Sequence, residues 1–88
     1  MAVWQERAEL IFKEEGLEKL KNAHILVVGL GGVGSFAAEF IARAGVGKMT
    51  IVDGDTVDIT NVNRQLPALH STVGQHKVDV VGDRLMDI

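Results

Sequence analysis

The stretch from His24 to Asp53, HILVVGLGGVGSFAAEFIARAGVGKMTIVD, reads as strand, glycine turn, helix and second strand. His24 to Val28 is a short apolar run rich in β-branched residues, the pattern of a strand buried on both faces of a parallel sheet. Past the glycines, Phe36, Ala37, Phe40, Ile41 and Ala44 recur at helical spacing, which predicts an apolar helix face. Gly45 falls where a left-handed C-terminal cap belongs. Lys48 to Asp53 reads as the next strand. The fold class this predicts is α/β, a Rossmann-like nucleotide-binding fold with parallel strands and flanking helices, incomplete in this chain.

Between the first strand and the helix stands Gly29-Leu30-Gly31-Gly32-Val33-Gly34, which fits G-x-G-x-x-G. Asp53 follows at about the spacing of a ribose-binding acid. Gly29 would allow the tight turn, and Gly31 and Gly32 would let backbone N–H groups approach a phosphate. Gly34 would let the helix pack closely on the strand. The helix start then directs unpaired N–H groups and a positive dipole end at the anion. A glycine pattern alone is weak evidence and also suits a purely structural turn. With strand, helix, second strand and acid in order, nucleotide binding is the favoured reading.

Composition bounds what the chain can do. It has 88 residues, a net charge of −3, 47% hydrophobic residues, a single proline at Pro67 and no cysteine. That length makes one small domain, burying about 60 to 65 per cent of its unfolded surface. The apolar fraction excludes a disordered or low-complexity chain. The lack of cysteine excludes a disulfide framework, a thiolate zinc site and a thiol nucleophile within this stretch, with a cytoplasmic location as the default. The apolar runs are too short to span a bilayer and MAVWQERAEL lacks the features of a signal peptide, so no membrane role is expected. No basic stripe points to a nucleic-acid surface.

Residues 1–22 read as a helical lead-in and 23–88 as the N-terminal part of a Rossmann-like ATP-binding domain. In the lead-in, Leu10, Ile11, Leu17 and Leu20 can share one apolar face, and Gly16 is expected to divide it into two helices. Arg7 reads as a solvated surface group. From Gly54 to His70 the signals are those of an irregular loop, with Thr60 or Asn61 as N-cap of a brief helical turn that Pro67 ends. This loop leaves the end of the second strand, so Arg64 can reach phosphates bound at the glycine turn, where a planar guanidinium serves two oxygens at once. Ser71 to Ile88 is a predicted amphipathic helix capped by Ser71 or Thr72, with Val78, Val81, Leu85 and Ile88 as its stripe. Lys77 stands beside that stripe, and solvated surface is its default reading. His24, His70 and His76 have no metal-ligand spacing, so no metal ligand is assigned.

GLGGVG, the acid in VDGD, NVNRQ and the later GQHKV together resemble the ThiF/MoeB/E1-like adenylating enzymes, over about Arg7 to Ile88. The run from Gly32 to Lys77 is most similar to the tRNA threonylcarbamoyladenosine dehydratase branch. The resemblance implies an ATP site in which Gly29, Gly31, Gly32 and Gly34 form the glycine loop and Asp53 holds the ribose. Asn61, Asn63, Arg64 and Gln65 line the nucleotide. Arg64 and Lys77 act on the phosphates as the catalytic cations. Arg7 matches only loosely an N-terminal arginine that reaches a partner subunit's ATP, and the family's Mg2+-binding aspartate is expected in a later strand.

The implied reaction is attack of a substrate carboxylate on the α-phosphate of ATP, giving an acyl-adenylate and pyrophosphate, with no protein nucleophile. In the dehydratase branch the carboxyl belongs to a threonylcarbamoyl group on a tRNA adenosine. In the E1-like branches it is the C-terminus of a small ubiquitin-like or sulfur-carrier protein. The family resemblance also implies a homodimer. An NAD-binding oxidoreductase module and a non-catalytic scaffold are the competing readings, and the cations Arg64 and Lys77 discriminate against the first. Two parallel strands are too few for a stable sheet, so a third strand is expected after Ile88. The isolated 88-residue chain is expected to associate through its strand edge and apolar helices and to be inactive.

Overall fold

Strands β1 (His24–Val28) and β2 (Lys48–Val52) pair in parallel, with His24 opposite Lys48 and Val28 opposite Val52. The computed structural model describes residues 2–88. Helix α1 (Glu6–Lys21) precedes β1, helix α2 (Gly34–Arg43) crosses from β1 to β2, and helix α3 (Lys77–Met86) closes the chain. Short 3-10 turns lie at Val3–Gln5, Ile59–Asn61 and His70–Thr72. None of the helices is long and apolar enough to cross a membrane.

The crossover from β1 to β2 puts α2 on one face of the sheet, and α3 packs beside it. The core they enclose is Leu30, Ala38 and Val81, with Val27, Met49, Ile51, Val78 and Leu85 packed around it. The stripe expected on the last helix is therefore real from Val78 to Leu85. The opposite face of the sheet is bare, for Leu26 is 61% and Val28 72% exposed. Within these 88 residues, helices cover one face of β1 and β2.

The orientation of α2 also differs from the expected one. Ser35, Ala38 and Glu39 are its buried residues, whereas Phe36 and Phe40 are exposed. Ser35 and Ala38 face inward where α2 approaches the sheet and α3, Glu39 meets Arg84 of α3, and the aromatic rings of Phe36 and Phe40 are exposed. Gly45 has φ +104°, as a left-handed cap requires.

Helix α1 is broken at Lys13, which has φ 61° and ψ 171°, and not at Gly16. The Lys13 ammonium donates to the Leu10 carbonyl at 3.2 Å, which satisfies an acceptor at the end of the first segment. Gly16 stays helical, and a Cβ there would lie 2.9 Å from Phe12 Cβ, so the bend favours glycine at that position. The break turns Leu10 and Ile11 out to solvent while Leu17 is buried, so the expected continuous apolar face does not form. The last helix is shorter than expected as well. His70–Thr72 form a separate turn, Gly74 has φ +87°, and α3 starts at Lys77 with His76 at its cap, replacing Ser71 or Thr72.

Candidate nucleotide site

The glycine turn is built on the carboxyl ends of the two strands. Gly29 N–H donates to Val52 O at 2.7 Å, which extends the parallel ladder by one bond before the chain turns at φ +91°. Gly34 opens α2 against the backbone of Gly29: a Cβ at Gly34 would sit 1.8 Å from Gly29 O, which no side chain tolerates. The turn is therefore closed on itself by glycine at both ends.

Asp53, just past β2, fastens this turn. Its Oδ2 accepts the Leu30 N–H and its Oδ1 accepts the Asp55 N–H, both at 2.7 Å. Burial would raise its carboxyl pKa, but these two N–H bonds and the positive charge of Lys77 outweigh burial and hold it below the usual carboxylate range. Each oxygen keeps further acceptor capacity for a ligand hydroxyl.

The segment after β2 folds back over the turn. Asp58, and not Thr60 or Asn61, caps Ile59–Asn61 by accepting the Thr60 N–H at 2.9 Å, and Asn61 Oδ1 accepts the Asp58 N–H in return at 2.9 Å. The backbone and hydroxyl bonds from Thr60 hold the Asp58 carboxyl below its usual range, with Lys77 again adding to the effect. Asn61 is buried, and its carbonyl accepts the N–H groups of Arg64 and Gln65. That turn sets Arg64 and Gln65 against the glycines. The Cβ position of Gly31 is 3.8 Å from Gln65 Nε2, and that of Gly32 is 3.6 Å from Arg64 O.

Three of the expected site residues have definite states. Arg64 is exposed, with Nη1 bonded to Thr60 O and Asn63 Oδ1, which leaves the rest of its guanidinium edge open. Gln65 Oε1 is buried with no hydrogen-bond partner, a costly condition unless a ligand donor meets it. Lys77 is only 6% exposed, so its surface reading is overturned. It occupies the first position of α3, and no side chain of the described residues forms an ion pair with it within 4 Å. Arg7 is exposed on the first turn of α1. The chain just before α1 also lies at the opposite end of the sheet, where the Cβ position of Gly45 is 2.7 Å from Gln5 Nε2, so Arg7, two residues on, is not brought to this site.

Two features escaped the reading of the sequence. Ser35, fully buried, donates to Gly31 O and accepts the Leu66 N–H at 3.3 Å. Glu39 on α2 binds Arg84 on α3 through both carboxylate oxygens, with Arg43 at 3.4 Å from Oε2. The Arg84 hydrogen bonds hold the Glu39 carboxyl below its usual range despite burial. An acid in an otherwise apolar helix run, with arginine four residues on, was the available signal for this second feature.

A parallel β-α-β unit with its glycine turn, acid and cations at the carboxyl ends of the strands defines a Rossmann-type nucleotide-binding domain. The chain belongs to the ThiF family, whose sequence model matches residues 5–88. The tRNA threonylcarbamoyladenosine dehydratase of Bacillus subtilis is 63% identical over 82 residues, covering 93% of this chain and 32% of that protein. The molybdopterin-synthase adenylyltransferase of Salmonella typhimurium is 49% identical over 77 residues, covering 88% and 31%. The crystal structure of the Escherichia coli tRNA N6-threonylcarbamoyladenosine dehydratase in complex with ATP superposes with a TM-score of 0.91 at 42% identity, covering 99% of this chain and 37% of that one. The chain thus spans about a third of the length of these curated relatives.

Proposed function

We propose that this chain is the ATP-binding part of an adenylating enzyme that activates a substrate carboxylate, and that the carboxylate belongs to threonylcarbamoyladenosine in tRNA. The observation that carries the ATP reading is that Arg64 and the unpartnered Gln65 Oε1 stand against the glycine turn while the buried Lys77 acts on Asp53, the acid that fastens that turn. A dinucleotide site holds its pyrophosphate mainly on the backbone turn, whereas nucleotidyl transfer needs cations around a triphosphate. The tRNA reading rests on the 63% identity to a dehydratase.

In this reading Asp53 orients the ribose while holding the turn through Leu30, and the glycine N–H groups receive the phosphates. Lys77 and Arg64 neutralise charge that develops on the α-phosphate oxygens as the carboxylate oxygen bonds to phosphorus and pyrophosphate departs. The acyl-adenylate then cyclises with loss of AMP. Asn63 steadies the Arg64 guanidinium. Mg2+ would accompany the triphosphate, but the described residues contain no group of three or more His, Asp or Glu side chains able to hold a metal. No residue of this chain is assigned to it and no step is derived through it. A homodimer, acting in the cytoplasm, completes the proposal.

Calorimetric titration with ATP and NAD tests the ligand, and tighter NAD binding would sink the adenylating reading. Carboxylate-dependent pyrophosphate exchange with modified tRNA, compared with a small carrier protein, tests the substrate. Activity with the carrier alone would move the assignment toward the adenylyltransferase relatives.

A further inference from the structure

We propose that Ser35 is a positioning residue that sets Arg64 and Gln65 against the glycine turn. The inference rests on the nucleotide reading above and assigns a role within that site. A serine hydroxyl bonded to the carbonyl four residues back is ordinary in helices and by itself implies nothing. Here the same oxygen also accepts the Leu66 N–H at 3.3 Å, from a segment thirty-one residues away in sequence. Among the described residues it is the one hydrogen bond that crosses between residues 29–35 and the 61–66 segment.

The two segments otherwise meet through van der Waals contact, where the Gly31 and Gly32 Cβ positions approach Gln65 Nε2 and Arg64 O at 3.8 and 3.6 Å. Contact alone allows the segments to slide past one another, whereas a directional bond fixes their register. Ser35 is 0% exposed, so water cannot substitute for its hydroxyl. The residues it positions are the arginine assigned to the phosphates and the glutamine whose Oε1 awaits a donor. A shift of about 1 Å in such groups costs on the order of a hundredfold in rate.

The test compares Ser35→Ala and the near-isosteric Ser35→Cys with wild type in the pyrophosphate-exchange assay on the protein carrying this chain. The Ala variant should lose tenfold or more in kcat/KM for ATP, a loss no larger than that of Arg64→Ala, and the Cys variant should fall between. Combining Ser35→Ala with Arg64→Ala should cost little beyond Arg64→Ala alone, since the hydroxyl acts through the arginine. Amide exchange of Leu66 should speed up at least tenfold in Ser35→Ala, whatever the turnover. An unchanged Leu66 amide, a wild-type kcat/KM for ATP or additive losses in the double variant would each overturn the inference. A wild type that catalyses no exchange would count against the adenylating reading instead, with the Leu66 amide still deciding the tether.

Discussion

The Leu30 N–H lies 2.7 Å from Asp53 Oδ2, so the acid at the end of β2 is the anchor of the glycine turn before it is anything to a ligand. Leu30 is completely buried, which means that no water can replace this acceptor. Asp53→Asn keeps the size but presents an amide donor to one of two backbone donors, leaving one unsatisfied. The expected cost is about 1–3 kcal/mol of stability. A lower urea midpoint at unchanged m-value would report it, and a midpoint equal to wild type would mean the turn does not depend on the acid.

Acid should weaken the fold in a defined window. Asp53 and Glu39 both have folded pKa values below their ordinary ones, so between the two values the unfolded chain binds more protons than the folded chain. Stability therefore rises with pH through that window and is lost as pH falls through the depressed folded values, below about pH 4. Urea midpoints measured from pH 6 to pH 2.5 should hold level and then drop. A drop centred well above pH 5 would show that other groups govern acid unfolding.

The clamp between α2 and α3 should be asymmetric. The Glu39 side chain is 11% exposed and that of Arg84 49%, so only the acid is deprived of water. Arg84→Met strands a buried carboxylate with Arg43 as its remaining cation, and should cost about 2–3 kcal/mol. Glu39→Gln frees an arginine that can turn to solvent, so it should cost about 1 kcal/mol. Equal losses in chemical denaturation would show that the pair is effectively a surface ion pair.

The strands, the cap at Gly45 and the Val78-Val81-Leu85 stripe were legible because local period and cap chemistry determine them. What was not legible depends on how elements meet. The bare face of β1, the outward Phe36 and Phe40 and the inward Ser35 and Glu39 follow from which side α2 and α3 take, and no helical stripe carries that information. The break at Lys13 is accompanied by a side-chain bond to Leu10 O that no periodicity announces, and glycine at position 16 misled because it sits in a helical turn beside Phe12 and not at the break. The burial of Lys77 comes from the Gly74 turn, which starts α3 late and brings its first residue close enough to lower the Asp53 and Asp58 carboxyls.

Two glycines separate packing from composition. Gly34→Ala drives a Cβ into Gly29 O at 1.8 Å, whereas a Cβ at Gly54 meets nothing within 4 Å. The first change should cost about 3 kcal/mol or prevent folding, since neither backbone can yield without opening the turn. The second should stay within about 0.5 kcal/mol of wild type. Comparable stabilities for the two variants would contradict the closed turn described here.

The two cations should separate binding from folding in opposite ways. Arg64 is exposed, so Arg64→Ala should leave stability within about 0.5 kcal/mol and weaken ATP binding by about 1.5–3 kcal/mol, the range for charged hydrogen bonds. Lys77 is 6% exposed and no carboxylate of the described residues pairs with it within 4 Å, so its charge forms no ion pair on which the fold depends. Lys77→Met keeps the aliphatic stem and removes the charge. It should therefore leave the fold about as stable as wild type, while ATP affinity falls tenfold or more. The Asp53 and Asp58 carboxyls, both lowered by Lys77, should titrate closer to ordinary values in this variant. Carboxyl NMR titration reads that shift without any nucleotide present. A stability loss together with unshifted carboxyls would place Lys77 in the core as a packing residue and remove it from the phosphate site.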